Sequence, residues 1–468
     1  GYIRYGISYI EELNGIFSIA LWDGKRKKLY LIRDRVGVKP LFYTKRGDTL
    51  IFASEIKGLF AYPGVKPVIN REGLCEIFGL GPAKSYGKGV FKDIYEVLPG
   101  HFLEYDREGL KDRAYWELKA KEHTDSEKDT IEHTRWLVKD AVEMQMLSDI
   151  PISTFLSGGV DSSLVTAICA KKLQKEGKNL NTFSFDFVNN HKYLNQTLPA
   201  KRRPPWLTDV DHAKTDHRYL ECDNENMIEN LYKAVDARDL PCMADVESSM
   251  LYFCSKVVKY NKVTLTGECA DEIFGGYPWF HKEECFKAEI FPWSMDMQPR
   301  KMLLNDDIIQ KVDLESYART AYQKTINETP KLYGEDQIEA RRRQISYLNL
   351  RWFMVTLMDR MDRTSMHCGL EARVPFADHR IVEYLYNVPW ELKCLNGVVK
   401  GLLRAAGEGI LPDEVLYRRK SPYPKTYDPN YEKILSKELL KVIGKKRSTD
   451  QELIDAYKLS RFLDSPKD

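Results

Sequence analysis

The 468-residue chain has no uninterrupted apolar run near the ~20 residues that a membrane span needs, so a membrane partner is not expected. It also has almost no net charge: 71 Lys and Arg against 69 Asp and Glu leave +2. A protein that grips nucleic acid or an anionic bilayer carries a basic excess, and none is present. There is no Cys-x-x-Cys pair. The nine cysteines (Cys75, Cys169, Cys222, Cys242, Cys254, Cys269, Cys285, Cys368 and Cys394) are odd in number and scattered. They read as reduced thiols of a cytoplasmic protein. In that compartment the sequons Asn195-Gln196-Thr197 and Asn327-Glu328-Thr329 carry no meaning. The opening residues, Gly1 to Gly6, are neither a signal peptide nor an initiator methionine, and no internal repeat is visible. What the chain does have is 43% hydrophobic residues and length enough for two or three domains.

The first ~110 residues are β-rich by pattern. Gly15 to Trp22 and Lys28 to Arg33 read as a hairpin across the turn Asp23-Gly24. Short strands follow at 41–43, 50–53 and 101–105, with short helices at 55–60 and 71–78. The polar stretch from Leu118 to Asp129 reads as a linker. Beyond it, strands alternate with longer helices: a helix over 130–146, strands at 150–156, 181–187 and 262–266, and a helix after Asp161. Such alternation predicts a parallel sheet covered on both faces, with ligands bound outside the carboxyl ends of its strands. The polar segment Asn189 to His217, with Lys201-Arg202-Arg203-Pro204-Pro205, reads as a long loop or lid, or as plain surface.

One turn of very small residues follows the first of these strands: Ser157-Gly158-Gly159-Val160-Asp161-Ser162-Ser163. It exposes backbone N–H groups at a helix N-terminus, which suits phosphate. It equally fits an ordinary strand–turn–helix junction with a capping side chain. Asp161 would repel a bare phosphate, so with phosphate bound it must hold magnesium. No lysine follows the glycines as in a Walker A loop, so a phosphate-neutralising cation has to come from elsewhere.

The stretch Gly267-Glu268-Cys269-Ala270-Asp271-Glu272-Ile273-Phe274-Gly275-Gly276-Tyr277 follows the third strand of the same predicted sheet. That places Asp271 on the same edge as Asp161, where the two could share magnesium ions around a triphosphate. Met358-Asp359-Arg360-Met361-Asp362-Arg363-Thr364-Ser365-Met366 reads as a helix with one packed face. Lys400 and Arg404 fall four residues apart on an apparent helix over 399–406, an exposed basic pair by pattern. Lys400 is the candidate for the missing cation.

Together with Gly369-Leu370-Glu371-Ala372-Arg373-Val374-Pro375-Phe376, these pieces resemble the signatures of the glutamine-dependent asparagine synthetases of bacterial type. The resemblance extends to Arg33-Asp34-Arg35-Val36-Gly37-Val38-Lys39-Pro40-Leu41, to Phe52-Ala53-Ser54-Glu55-Ile56-Lys57 and to Arg419 through Thr426. It covers essentially the whole chain. It implies a partial N-terminal-nucleophile α/β sandwich over 1–117, a glutaminase domain. Residues 118–468 would form a doubly wound parallel-sheet ATP-pyrophosphatase domain with a helical C-terminal part.

The implied reaction adenylates the aspartate side chain with ATP and Mg2+. Ammonia then attacks the adenylate, giving asparagine, AMP and pyrophosphate. By the same resemblance, Ser157, Gly158, Gly159, Asp161, Ser162 and Ser163 hold pyrophosphate, and Asp161 and Asp271 hold the metal. Lys400 neutralises the phosphates and Glu268 takes a proton from ammonia. Phe155, Phe185, Thr266 and Gly267 line the adenosine pocket, although the family usually has an aliphatic residue at the two phenylalanine positions. The expected partners are small molecules (aspartate, ammonia, and glutamine in a longer form) and a second copy in a homodimer.

One departure is large. The family's glutaminase nucleophile is an N-terminal cysteine, whereas this chain starts at Gly1 and its first cysteine is Cys75. The chain therefore reads as a fragment, short at both ends, that does not hydrolyse glutamine. The rival readings are a β-lactam-synthetase-like or peptide-cyclising ligase on the same scaffold, and a non-catalytic nucleotide-binding remnant. Glu268 favours ammonia over the first, because a tyrosine is expected there in the β-lactam branch. The intact set of Asp161, Asp271, Glu268 and Lys400 disfavours the second.

Overall fold

The computed structural model describes residues 1–193, 207–418, 424–443 and 450–464. In the first part, two antiparallel sheets form. Strands β1 (Ser18–Asp23), β2 (Lys28–Arg33), β3 (Phe42–Arg46), β4 (Thr49–Ala53), β5 (Tyr95–Glu96), β6 (His101–Asp106) and β7 (Gly109–Ala114) follow in chain order. The sheets run β1-β2-β6-β7 and β4-β3-β5. The hairpin expected at Asp23-Gly24 is present, with Asp23 opposite Lys28. The Asp23 carboxylate accepts the amides of Lys25 and Arg26 to close the turn. Strand β2 buries Tyr30, Leu31, Ile32 and Arg33 in succession, because both of its faces are covered. Arg33 is paired to Glu96 at 2.9 Å, and Asp34 accepts the amides of Gly37, Val38 and Lys39.

Strand β7 was not legible in advance. Its sequence, Gly-Leu-Lys-Asp-Arg-Ala, is half exposed to exposed, and charge is what protects a sheet edge from mispairing. The expected linker ends earlier than Asp129. Helix α1 (Glu127–Gln145) starts at a Ser126 cap, whose hydroxyl accepts the Asp129 amide.

The second part is built on a five-stranded sheet of order β10-β9-β8-β11-β12. Its strands are β8 (Ile152–Phe155), β9 (Asn181–Phe187), β10 (Asp216–Cys222), β11 (Val263–Leu265) and β12 (Glu371–Arg373). All four pairings are parallel. Alternate residues feed two cores. Ile152, Val263 and Leu265 pack with Leu137, Val138, Ala141 and Val142 of α1 and with Leu164, Val165 and Ile168 of α2 (Val160–Lys175). Phe183 and Ala372 pack instead with Met250, Phe253, Cys254, Val257 and Met361. Helices thus cover both faces, as alternation of strand and helix predicts.

Two of these strands were not anticipated. Strand β10 begins in the last two residues of the segment read as a loop, and β12 is only three residues long. Part of that loop is also helical, over Asn190–Tyr193 and Leu207–Ala213. The basic run 201–205 lies outside the described residues, as do residues 419–423 of the late motif. Among the described residues, no helix is long and apolar enough to cross a membrane.

The helix carrying the Met and Arg repeat does not have one packed face. From Leu357 to Ser365 every residue is buried, because the helix is wedged between the two parts of the chain. Its charges are matched across that seam. Asp362 meets Lys39 at 2.5 Å, and Arg363 donates to the Ser54 carbonyl and pairs with Asp239. Asp239 in turn accepts the Ile56 amide at 2.8 Å.

Candidate active site

The turn after β8 places Gly158 at φ 80°, a conformation that glycine adopts at no steric cost. Helix α2 then opens with Gly159 at its cap. Most of the loop's hydroxyls are spent inside it. Ser162 Oγ lies 2.9 Å from Ser157 Oγ and accepts the Ser157 amide, while Ser163 Oγ donates to the Gly159 carbonyl at 2.8 Å. Ser162 and Ser163 are buried and Ser157 is exposed. Of the hydroxyls expected to hold pyrophosphate, Ser157 is therefore the one that faces solvent, and the other two fix the shape of the turn.

The second acidic loop meets the first directly. A Cβ added to Gly267 would stand 2.7 Å from the Ser162 amide nitrogen and 3.0 Å from its Cα, so only glycine lets these backbones touch. Two residues on, Cys269 takes φ 76° and turns the chain into α3 (Ala270–Phe274), which carries Asp271 in its first turn.

Lys400 does not sit within a helix, as the pattern suggested. It caps the helix Gly401–Gly407 at φ 58°, and its carbonyl accepts the Arg404 amide. That left-handed backbone separates Lys400 from Arg404. Arg404 is buried and donates to the carbonyls of Val399, Leu416 and Arg418, so it is a structural clasp and the exposed basic pair does not exist. Lys400, only 3% exposed, turns its ammonium between the two acids. Nζ lies 2.7 and 2.6 Å from the Asp161 oxygens and 2.5 Å from Asp271 Oδ1. Burial opposes the lysine charge, but the two carboxylates outweigh it and hold its pKa above the ordinary value. Gly276 closes over the group: a Cβ there would fall 1.9 Å from Asp271 Oδ1 and 2.4 Å from Lys400 Cε.

Two further carboxyls lie beside this cluster. Burial pushes Glu268 up, Arg360 pulls it back, and Asp271 adds to the rise. Its Oε1 is 3.3 Å from Arg360 Nη2. Glu272 is raised by burial and then by the charge of Asp271, and it accepts the Tyr277 hydroxyl at 2.6 Å. The hard, convergent oxygens of Asp161 and Asp271 fit magnesium, which takes one or two carboxylates and completes its shell with phosphate and water. Among the described residues no group of three or more His, Cys, Asp or Glu could hold a metal ion.

Phe155 and Phe185 come together at the carboxyl ends of β8 and β9. Both pack against Phe253 in tilted pairs, with ring centroids 4.7 and 5.5 Å away. Thr266 is buried, and its hydroxyl accepts the Glu268 amide at 3.3 Å. Phe253, Arg360, Gly276 and Arg418 were not singled out from the sequence. Arg418 donates to the Gly158 carbonyl at 2.6 Å and so ties the late segment to the first loop. Gly276 and Arg360 lie inside stretches already marked as motifs. Nothing local marks Phe253 or Arg418.

The family described as Asparagine synthase matches residues 133–468, and the Glutamine amidotransferase domain matches residues 1–116. The chain is 46% identical over 467 residues to the glutamine-hydrolyzing asparagine synthetase 3 of Bacillus subtilis (strain 168), covering 99% of this chain and 76% of that protein. It is 28% identical to asparagine synthetase 1 of the same organism, over 90% of this chain and 70% of that one. With the human asparagine synthetase it shares 27% identity, over 88% of this chain and 63% of that protein. Matched along nearly its full length, and carrying its two acidic loops and one lysine on a single sheet edge, the chain belongs to the asparagine synthetase family.

Proposed function

We propose that this chain makes asparagine from aspartate, ATP and ammonia through a β-aspartyl-adenylate, with residues 118–468 as the ligase domain and 1–117 as the amidotransferase part. The observation that carries the reading is the convergence of Asp161 and Asp271 on the Lys400 ammonium, each with an oxygen within 2.7 Å of Nζ, at the carboxyl edge of the sheet. A carboxylate is a poor electrophile. Its oxygen attacks the α-phosphorus of ATP, the bond to pyrophosphate breaks, and the acyl carbon gains AMP as a leaving group. Positioning and charge neutralisation supply most of such a step.

The amides of the 157–163 turn and the N-terminus of α2 cradle the pyrophosphate, with Ser157 as the accessible hydroxyl. Magnesium held by Asp161 and Asp271 would neutralise phosphate charge. The Lys400 ammonium balances the charge that grows on departing pyrophosphate. The adenine base lies against Phe155 and Phe185, with Thr266 and Gly267 at the pocket wall. In the second step ammonia attacks the acyl carbon, AMP departs, and the surplus proton on nitrogen passes to Glu268. A carboxylate at this position, rather than a phenol, suits ammonia as the nucleophile.

The test is ATP–pyrophosphate exchange with candidate acids, followed by product detection with ammonium chloride. Exchange should require aspartate and vanish in Asp271→Ala. Lys400→Met should lower it by roughly 100-fold, the scale of one lost charge-stabilising group. Exchange supported by a different acid would overturn the substrate assignment.

A further inference from the structure

A buried charge cluster stands behind Glu268, apart from the phosphate-binding loops. Helix α6 (Val355–His367; here α4 is Asn224–Arg238 and α5 is Ala244–Val257) carries Asp359 and Arg360 side by side. Arg360, 9% exposed, reaches Glu268 at 3.3 Å. Asp359 reaches the other way, to Arg238 Nη2 at 3.1 Å. Arg238 ends α4, and its Nη1 lies 3.5 Å from Glu247 Oε1 in the first turn of α5. Glu247 is 1% exposed, and its second oxygen has no hydrogen-bond partner among the described residues. The charges of Arg238 and Arg360 both act on Glu247 against the effect of its burial.

Two acidic and two basic side chains are thus packed in the interior directly behind the residue assigned to accept the ammonia proton. A cluster of this kind has a large desolvation cost, and an incomplete set of partners makes it costlier still. The helix could fill the same space with methionines, as it does at Met358 and Met361. Among the described residues, the cluster meets Glu268 through the guanidinium of Arg360.

We propose that Arg360, braced by Asp359, Arg238 and Glu247, is a positioning residue that fixes the Glu268 carboxylate for the ammonia step. The inference rests on the ligase reading above and adds residues to its second half-reaction. Glu268 sits on a short loop between β11 and α3, where a carboxylate would otherwise rotate freely. One guanidinium N–H on Oε1 leaves Oε2 to receive the proton. Arg360 is itself a long side chain, and the Glu247 charge, which it helps to offset, attracts its guanidinium.

The two half-reactions separate this role from simple scaffolding. Arg360→Gln and Glu247→Gln would be compared with the parent chain in two assays: aspartate-dependent ATP–pyrophosphate exchange, and asparagine formation from ammonium. In Arg360→Gln, asparagine formation should fall roughly tenfold further than exchange, a part of the ~10²–10⁴ that general-base catalysis contributes. Glu247→Gln, which keeps the shape, should shift the ratio in the same direction by a smaller factor. Arg360→Lys should recover part of the loss. Hydroxylamine, a stronger nucleophile that depends less on a base, should narrow the deficit in each variant. Parallel loss of both half-reactions would make the cluster purely structural and overturn the proposal. An unchanged ratio in both Gln variants would also overturn it. If the parent itself shows no aspartate-dependent exchange, the acceptor assignment falls first, and that outcome is visible before any variant is made.

Discussion

Gly267 shows how one missing methyl can define a site. Its backbone lies against Ser162, so the acid-bearing loop after β11 and the phosphate-type turn after β8 form one surface. A Cβ at 2.7 Å from a backbone nitrogen cannot be relieved by a side-chain movement, and one loop must shift. Gly267→Ala should destabilise the chain by about 1–3 kcal/mol, the usual range for overpacking. It should also lower aspartate-dependent exchange far more than the melting temperature suggests, because the displaced loop carries Glu268 and leads into Asp271. A variant that melts lower yet exchanges normally would break this argument. Lys400 makes the same point through its backbone. Its spacing to Arg404 invited a helical pairing, yet its left-handed φ sends the two cations to different tasks. Sequence spacing holds only where both residues share one helix, and the helix here begins one residue too late.

At the scale of elements, the strands that carry the site were readable and those that frame it were not. Strands β8, β9 and β11 are apolar or alternating, and β8 and β11 lead into the two loop motifs. Strand β10 has three ionisable residues in its first three positions, Asp216, His217 and Arg218, and sits on a sheet edge, so its pattern resembled the loop before it. Strand β12 is too short to show a period at all. The helix α6 was readable as a helix, but its burial was not, because its partners Lys39, Ser54 and Asp239 lie far away in the chain. That burial has a measurable consequence. Asp359 is largely enclosed; burial works against its charge, but nearby cations, Arg238 foremost, outweigh it and hold its pKa below the ordinary value. Asp359→Ala would strand Arg238 with a single, longer contact to Glu247. The expected loss is about 3–5 kcal/mol, the cost of breaking a buried pair, and chemical denaturation measures it. A loss below about 1 kcal/mol would mean that water enters and screens the cluster.

For the molecule as a whole, the site depends on segments far apart in the chain: the turn at 157–163, the loop at 267–277, the helix at 355–367 and Lys400. The parallel sheet gathers the first two at one edge, a consequence of topology that strand–helix alternation already implied. The last two are brought in by tertiary packing that no local pattern encodes. Lys400 in particular acts as a placeholder. Its ammonium pairs with both Asp161 and Asp271, so a divalent cation binding these carboxylates alone would have to displace an internal counter-ion. A cation arriving with a triphosphate would not, because the phosphates would offer the lysine another counter-charge. The chain should therefore impose an order of addition, in which metal and nucleotide enter as a unit. Calorimetric titration of Mg2+ into the nucleotide-free protein should show weak binding in the parent and tighter binding in Lys400→Met. Equal affinity in the two would show that the lysine does not hold that place.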